Sequence, residues 1–170
     1  HSADVVLATG EQVTASRDSH EDLFWAIRGG GGNFGIVTSF EYDAHPVGPE
    51  VLSGLIVHAQ ADAPRLLRQY RDLADQAPDE LTVWIVLRKA PPLPFLPEEV
   101  HGTDVMVIAA MYAGDIDAGE KAIAPFRALG SPVGQAMFPH RFTDWQAAFD
   151  PLLTPGMRNY WKSHNFTELS

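Results

Sequence analysis

The sequence predicts an α+β protein in two unequal parts: a short glycine-rich piece over residues 1–46 and, over 47–170, a ferredoxin-like (βαββαβ) antiparallel sheet with its helices on one face. Three observations carry that expectation. Between residues 51 and 138 a β, α, β pattern occurs twice in series, the apolar period switching each time from about 2 to about 3.6 and back. The string HPVGP at 45–49 interrupts both periods and marks a boundary. Ahead of it, glycines at 29, 30, 31 and 32 stand between a helical pattern and a strand.

Residues 5–7 and 12–15 read as short strands, with Thr9 and Gly10 at the turn of a hairpin. Ser19 followed by Asp22 fits a capping box, and Leu23, Phe24 and Ile27 supply the apolar stripe of the helix behind it. The glycines end that helix and 36–42 resumes as a strand. Beyond the boundary, 51–59 is strand-like. Residues 62–76 are helical, with Leu66, Leu67, Tyr70, Leu73 and Ala74 on one stripe, and 81–89 are strand-like again. The second round is a strand over 105–112, a helix over 117–129 closed by Gly130, and a strand over 133–138. Pro125 inside that helix is expected to kink it. A last helix, capped by Thr143 with Gln146 in support, carries Trp145, Phe149 and Leu152 and leads to a strand over 159–166.

Strand alternation sorts the side chains by face. In 81–88, Leu81, Val83, Ile85 and Leu87 suit the helices, whereas Thr82, Trp84, Val86 and Arg88 suit a ligand or a second lobe. Tyr112 shares a face with Asp104, Met106 and Ile108, and in the last strand Tyr160, Lys162, His164 and Phe166 oppose Trp161, Ser163 and Asn165.

The glycine run carries the chemistry. Consecutive glycines maximise backbone entropy loss and contribute no packing, so a purely structural turn would use one or two. What the run offers is positive φ angles, close backbone approach and exposed N–H groups, which cradle a pyrophosphate or lie against a flat ring. No GxxxxGK followed by Ser or Thr occurs, and the order of helix, glycines and strand is the reverse of the dinucleotide fold, in which glycines follow a strand and open a helix.

The string DLFWAIRGGGGNFGIVTSFEY at 22–42, with ADVVLATGEQVTAS at 3–16 before it, resembles the end of the FAD-binding domain (PCMH type) of berberine-bridge-enzyme-like flavin oxidoreductases of the vanillyl-alcohol-oxidase superfamily. The resemblance continues at lower specificity through DELTVWIVLRKAPPLPFLP at 79–97 and NYWKS at 159–163. It implies that 1–46 finish a flavin domain and 47–170 begin a substrate domain. It also implies FAD as cofactor, with contacts from Gly31, Gly32, Asn33, Gly35, Ile36 and Val37. In such enzymes the sheet roofs the isoalloxazine ring and lines the substrate pocket, which makes Trp84, Tyr112, Trp161 and Lys162 the substrate candidates, each weighed against core packing or a surface role. The implied reaction is oxidation of an alcohol, sugar or secondary-metabolite substrate by hydride transfer to the flavin, with molecular oxygen as the onward acceptor. The resemblance further implies an incomplete chain, whose partners include the remaining portions of its own parent. An N-terminal lobe would carry most of the FAD site, and a C-terminal segment would carry an NxxRL-like motif and usually the catalytic base. No catalytic residue is therefore assigned within these residues, and the piece alone is expected to be inactive.

Composition narrows the alternatives. A formal charge of −10 argues against nucleic acid and anionic membranes, and it leaves an anionic FAD to be held by local backbone dipoles. With 45% hydrophobic and 20% charged residues the chain is ordinary for a folded soluble domain. No cysteine is present, so disulfides, thiolate metal sites and a cysteinyl flavin link are excluded within it. No apolar run approaches the roughly 18 residues of a membrane span and no signal-peptide pattern opens the sequence. Compartment stays open, with the cytoplasm slightly favoured. The histidines lack HxxxH, HxH or HExxH spacing, so no metal site is expected, and no serine sits in a GxSxG setting. The loop APPLPFLPEEVHG at 90–102 reads as a stiff hairpin connection closed by His101 and Gly102. The competing hypothesis is a non-enzymatic ferredoxin-like binding or assembly module, with a homodimer covering the sheet face.

Overall fold

In the computed structural model the described residues are 1–152, 155, 156, 158 and 160–164. Contacts divide the chain into two units, His1–Pro46 and Val47–Ser170.

The first unit is a three-stranded antiparallel sheet in the order β2-β1-β3, formed by β1 (Ser2–Val6), β2 (Gln12–Ser16) and β3 (Ile36–Glu41), with the helix α1 (Glu21–Ile27) on one face. Alternation puts Ala3, Val5, Val13 and Ala15 under Leu23, Phe24 and Ile27 of the helix. The β1 and β3 register shifts between Asp4 and Val5, which leaves Thr38 as an extra residue whose hydroxyl donates to the Asp4 carbonyl at 3.3 Å. That bulge keeps Val37 and Phe40 on the same side, opposite Val5 and Ala3. The expected capping box does not form. His20, in the left-handed region at φ 49°, is the N-cap and makes no side-chain cap, while Ser19 Oγ lies 3.1 Å from His20 Nδ1 instead. Glu21 and Asp22 in the first turn complement the helix dipole.

The second unit has the strand order β5-β6-β4-β7, from β4 (Glu50–Ala59), β5 (Leu81–Lys89), β6 (Asp104–Tyr112) and β7 (Gly134–Arg141), all neighbours antiparallel. With α2 (Ala63–Ala74) joining β4 to β5 and α3 (Ile116–Arg127) joining β6 to β7, this is the expected ferredoxin-like arrangement. Both helices cover one face, over a core of Leu52, Ile56, Leu66, Met106, Ile108, Ile123 and Phe126. Each such side chain contributes about 1.5–3 kcal/mol by burial. Tyr70 ties α2 to the sheet by donating to the Val83 carbonyl at 2.9 Å, and Arg127 ties α3 to β7 by donating to the Met137 carbonyl at 3.2 Å and is held by Glu120 of its own helix at 2.6 Å. Asp115 caps α3, accepting from the Ala118 amide, and Gly130 at φ 54° turns the chain out of it.

On the opposite face the proline loop folds back over one end, where Ala90 and Leu96 are buried with Val57, Val105 and Val107. It is closed as expected, by Ala90 N–H to the Thr103 carbonyl and Gly102 N–H to the Ala90 carbonyl, both 2.9 Å. The other end carries α4 (Phe142–Ala147).

Several expectations are corrected. Leu67 on α2 and Leu87 at the far end of β5 are exposed, the first at the edge of its stripe and the second beyond the helices' cover. Neither Thr143 nor Gln146 caps α4, which begins two residues earlier than that cap requires, with Arg141 as N-cap and no side-chain bond. Residues 160–164 form no strand, while Asn159, Asn165 and Phe166 lie outside the described residues.

His58 on β4 is 0% exposed, and neither ring nitrogen makes a well-aligned hydrogen bond among the described residues, the Ser131 backbone offering only a weak one. Burial pushes its pKa below the ordinary value. The Asp62 carboxylate opposes, the Arg65 guanidinium reinforces, the Ser131 backbone opposes, and burial prevails. The folded state therefore resists taking a proton that the unfolded chain accepts near pH 6.5. The stability contributed by neutral His58 is complete above about pH 6.5 and is lost as pH falls from there through the folded pKa, at no more than about 1.4 kcal/mol per pH unit. Urea unfolding at pH 7.5, 6.5 and 5.5 should show a shallower decline for His58→Leu than for the parent sequence. Equal declines would contradict this.

Candidate functional site

The glycine segment separates into positions that the fold demands and positions that it leaves open. A Cβ on Gly30 would strike the Ala26 carbonyl and lie 2.7 Å from the Phe34 ring, and one on Gly35 would lie 2.6 Å from the Val6 carbonyl oxygen. Those two glycines are required by packing. Gly29, Gly31 and Gly32 have nothing within 4 Å of a Cβ, and Gly29 and Gly31 hold φ of 119° and 78°. The chain thus commits left-handed backbone and unoccupied space where its own packing asks for neither. A single 3-10 turn, Gly32–Phe34, follows and presents Asn33 to solvent, and Ile36 is 72% exposed. The Val37 side chain packs with the core beneath α1. Beside the run, Trp25, Ala26, Arg28, Gly29, Gly30 and Phe34 line a cleft of about 560 Å³. The Arg28 guanidinium, 4.6 Å from the centroid of the Phe24 ring, places a positive charge at this edge of an acidic chain.

In the second unit the face opposite α2 and α3 carries a run of rings. Trp84 on β5 meets Phe149 edge-on at 5.1 Å, Phe149 meets Trp145 at 5.1 Å, Trp145 lies 6.4 Å from His140, and His140 lies 4.1 Å from Phe138 on β7. Trp84 and Phe138, at the two ends, keep 45% and 50% of their surface exposed. Strand register places Thr82, Met111, Ser53 and Phe138 in one row across β5, β6, β4 and β7, with Ser53 fully buried and its hydroxyl without a partner among the described residues.

The four substrate candidates therefore do not come together. Trp84 lies on the ring-bearing face. Tyr112 lies on the helix face, 9% exposed and packed in the main core against Gly119 of α3, where a Cβ would come within 2.9 Å of its ring. Its side chain packs in that core, away from the ring-bearing face. Trp161 and Lys162 are exposed in a stretch without strand structure. Phe138, His140 and Ser53 are not marked by the sequence, and Trp145 and Phe149 are marked only as the apolar stripe of the last helix. The signal for two of them was present, because the alternation of β7 continues past Phe138 to His140 through Pro139, which an edge strand tolerates. Among the described residues no cluster of His, Asp or Glu could hold a metal ion, and no helix is long and apolar enough to cross a membrane.

No protein-family model matches the chain. Among curated proteins it is 65% identical over 48 residues to FAD-linked oxidoreductase pgmH of Aspergillus terreus, a match covering 28% of this chain and 10% of that protein. It is 27% identical over 163 residues to (R)-6-hydroxynicotine oxidase of Paenarthrobacter nicotinovorans, covering 94% of this chain and 34% of the relative. Among solved structures, xylooligosaccharide oxidase from Myceliophthora thermophila superposes with a TM-score of 0.63 at 30% identity, over 92% of this chain and 30% of that one. One unit of the chain carries an open glycine run and the other a ferredoxin-like sheet, and the proteins it resembles are FAD-linked oxidoreductases and oxidases. More narrowly, the chain is homologous to FAD-linked oxidoreductases and oxidases of the berberine-bridge-enzyme-like, vanillyl-alcohol-oxidase type, and it spans about a third of the length of the relatives it matches along most of its own.

Proposed function

We propose that the chain is the junction of a larger FAD-dependent oxidoreductase, in which residues 1–46 complete the flavin site and 47–170 begin the substrate domain. The observation that carries this is the open backbone at Gly29, Gly31 and Gly32, which fits a flat or phosphorylated ligand and which internal packing leaves unexplained. Gly31, Gly32, Asn33 and Ile36 contact FAD directly. Gly35 lets β3 leave the loop tightly against β1, and Val37 anchors the strand from its core side. Bound FAD supplies the two-electron acceptor for a hydride from the substrate carbon, and molecular oxygen takes the electrons onward. The residues here position and desolvate, and the group that takes the substrate proton is not assigned among them. Trp84 lines the substrate pocket, with Trp161 and Lys162 as further contributors. The 170 residues alone lack enough contacts for turnover, since a partial site forfeits most of the affinity needed to offset the loss of ligand freedom.

The test uses the parent reading frame extended at both ends and loaded with FAD. Mixed anaerobically with alcohols, sugars and cyclic amines, it should bleach at the flavin band with one of them and recover on admission of oxygen with release of peroxide. Bleaching without recovery would make the enzyme a dehydrogenase. A protein that carries no flavin would sink the proposal.

A further inference from the structure

We infer that a cleft in the first unit binds a small planar aryl carboxylate, with the acid group on Arg17 and Arg28 and the ring against Phe24, Phe40 and Tyr42. This stands apart from the flavin reading, because none of the open glycines borders the cleft.

The unmatched charge of the cleft is positive. Residues 1–46 hold seven carboxylates and no lysine, and their two arginines, Arg17 and Arg28, both border the same cleft of about 580 Å³. Arg17 makes no hydrogen bond or ion pair among the described residues. Arg28 uses only Nε, which donates to the Phe24 carbonyl at 3.1 Å, and its guanidinium is braced 4.6 Å from the centre of the Phe24 ring. Its two terminal nitrogens are left over as a fork of donors. The carboxylates of the cleft are engaged elsewhere. Glu41 Oε2 accepts from Ser2 Oγ at 2.8 Å, and Asp43 Oδ1 lies 2.8 Å from His1 Nε2.

The walls set the rest of the ligand. The volume suits a small molecule, whose sites span about 300–1,000 Å³. Phe40 and Tyr42 stack at 5.4 Å with 18° between their planes and keep 56% and 73% of their surface exposed, while Phe24 and Ile27 of α1 complete the apolar side. Such rings offer flat apolar surface to a flat apolar ligand. A neutral ring would pack there, but it would strip water from two guanidinium groups without replacing it. An ammonium would be repelled. A planar carboxylate matches a guanidinium fork with two parallel charge-assisted hydrogen bonds. Arg28 also borders the cleft beside the glycine run, so the two clefts adjoin at that residue.

The test is calorimetric titration of 2-naphthoate, with 2-naphthalenemethanol as its neutral counterpart, into the parent protein extended at both ends and into the 170-residue chain. Naphthoate should bind both proteins roughly tenfold or more tighter than the alcohol, and that advantage should shrink severalfold when ionic strength is raised about tenfold. Arg17→Gln and Arg28→Gln should each weaken naphthoate roughly threefold to tenfold and leave the alcohol unchanged, whereas Phe40→Ala should weaken both ligands alike. A merely structural role for the arginines would not separate the two probes. Equal affinity for acid and alcohol, or an acid affinity indifferent to both arginine variants, would overturn the inference. Binding by the short chain alone would also overturn it, because a segment of the parent would then fill the cleft. Release of flavin from the parent by naphthoate would do the same, by making the cleft part of the flavin site. A parent protein without flavin would end the flavoenzyme reading, and the titration would still decide this inference.

Discussion

Gly54→Val should strongly destabilise the ferredoxin-like unit. Gly54 lies in the middle of β4, the strand paired on both sides, opposite Ala110 of β6 and Met137 of β7. A Cβ there would run into the Ala136 carbonyl and come within 2.8 Å of Met137 Cα. Both obstacles are backbone atoms of a ladder strand, so relief means separating β7 from β4 and losing its hydrogen bonds. Overpacking of a tight site costs about 1–3 kcal/mol, and more where backbone must move. The expected loss is at least about 3 kcal/mol, a fall of roughly 10 °C or more in melting midpoint. Gly32→Ala is the matched control, because nothing lies near its Cβ position and its φ is not in the left-handed region. Thermal melts followed by far-ultraviolet circular dichroism separate the two. Equal midpoints would mean that β7 does not pair with β4 as described.

The second large effect is on ligand affinity. Gly32→Val leaves the fold intact by the same reasoning, but it places a branched side chain where FAD is proposed to lie against the backbone. In the full-length protein it should weaken FAD binding by tenfold or more, about 1.4 kcal/mol at least, with no change in circular dichroism. Gly35→Val weakens FAD too, but through the fold, since its Cβ meets the Val6 carbonyl and the Val5 side chain. The pair distinguishes a glycine kept for a ligand from one kept for packing, which inspection of the run of four could not do.

Much of the architecture was legible because its signals are local and strong. Apolar side chains at helical spacing in 63–74 and 116–127, between alternating strands, dictate two βαβ units, and the sheet order follows from burying one helical face. What sequence left undetermined depends on tertiary packing. Tyr112 was placed on the right side of its strand, with Met106 and Ile108, but only the approach of α3 at Gly119 shows that this side is the core. The capping boxes at Ser19 and Thr143 failed because the helices start at Glu21 and Phe142, so that each box falls out of register with the cap position. The ring run from Trp84 to Phe138 joins residues far apart in the chain, and no period in one segment encodes it.

The most direct measurement of the central claim is titration of FAD into the parent protein extended at both ends, and in parallel into the 170-residue chain, following flavin absorbance and fluorescence after desalting. The account predicts that the parent retains yellow flavin and that the short chain does not. If the parent fails to retain flavin, the glycine run has no ligand of this kind and the sheet belongs to a binding module.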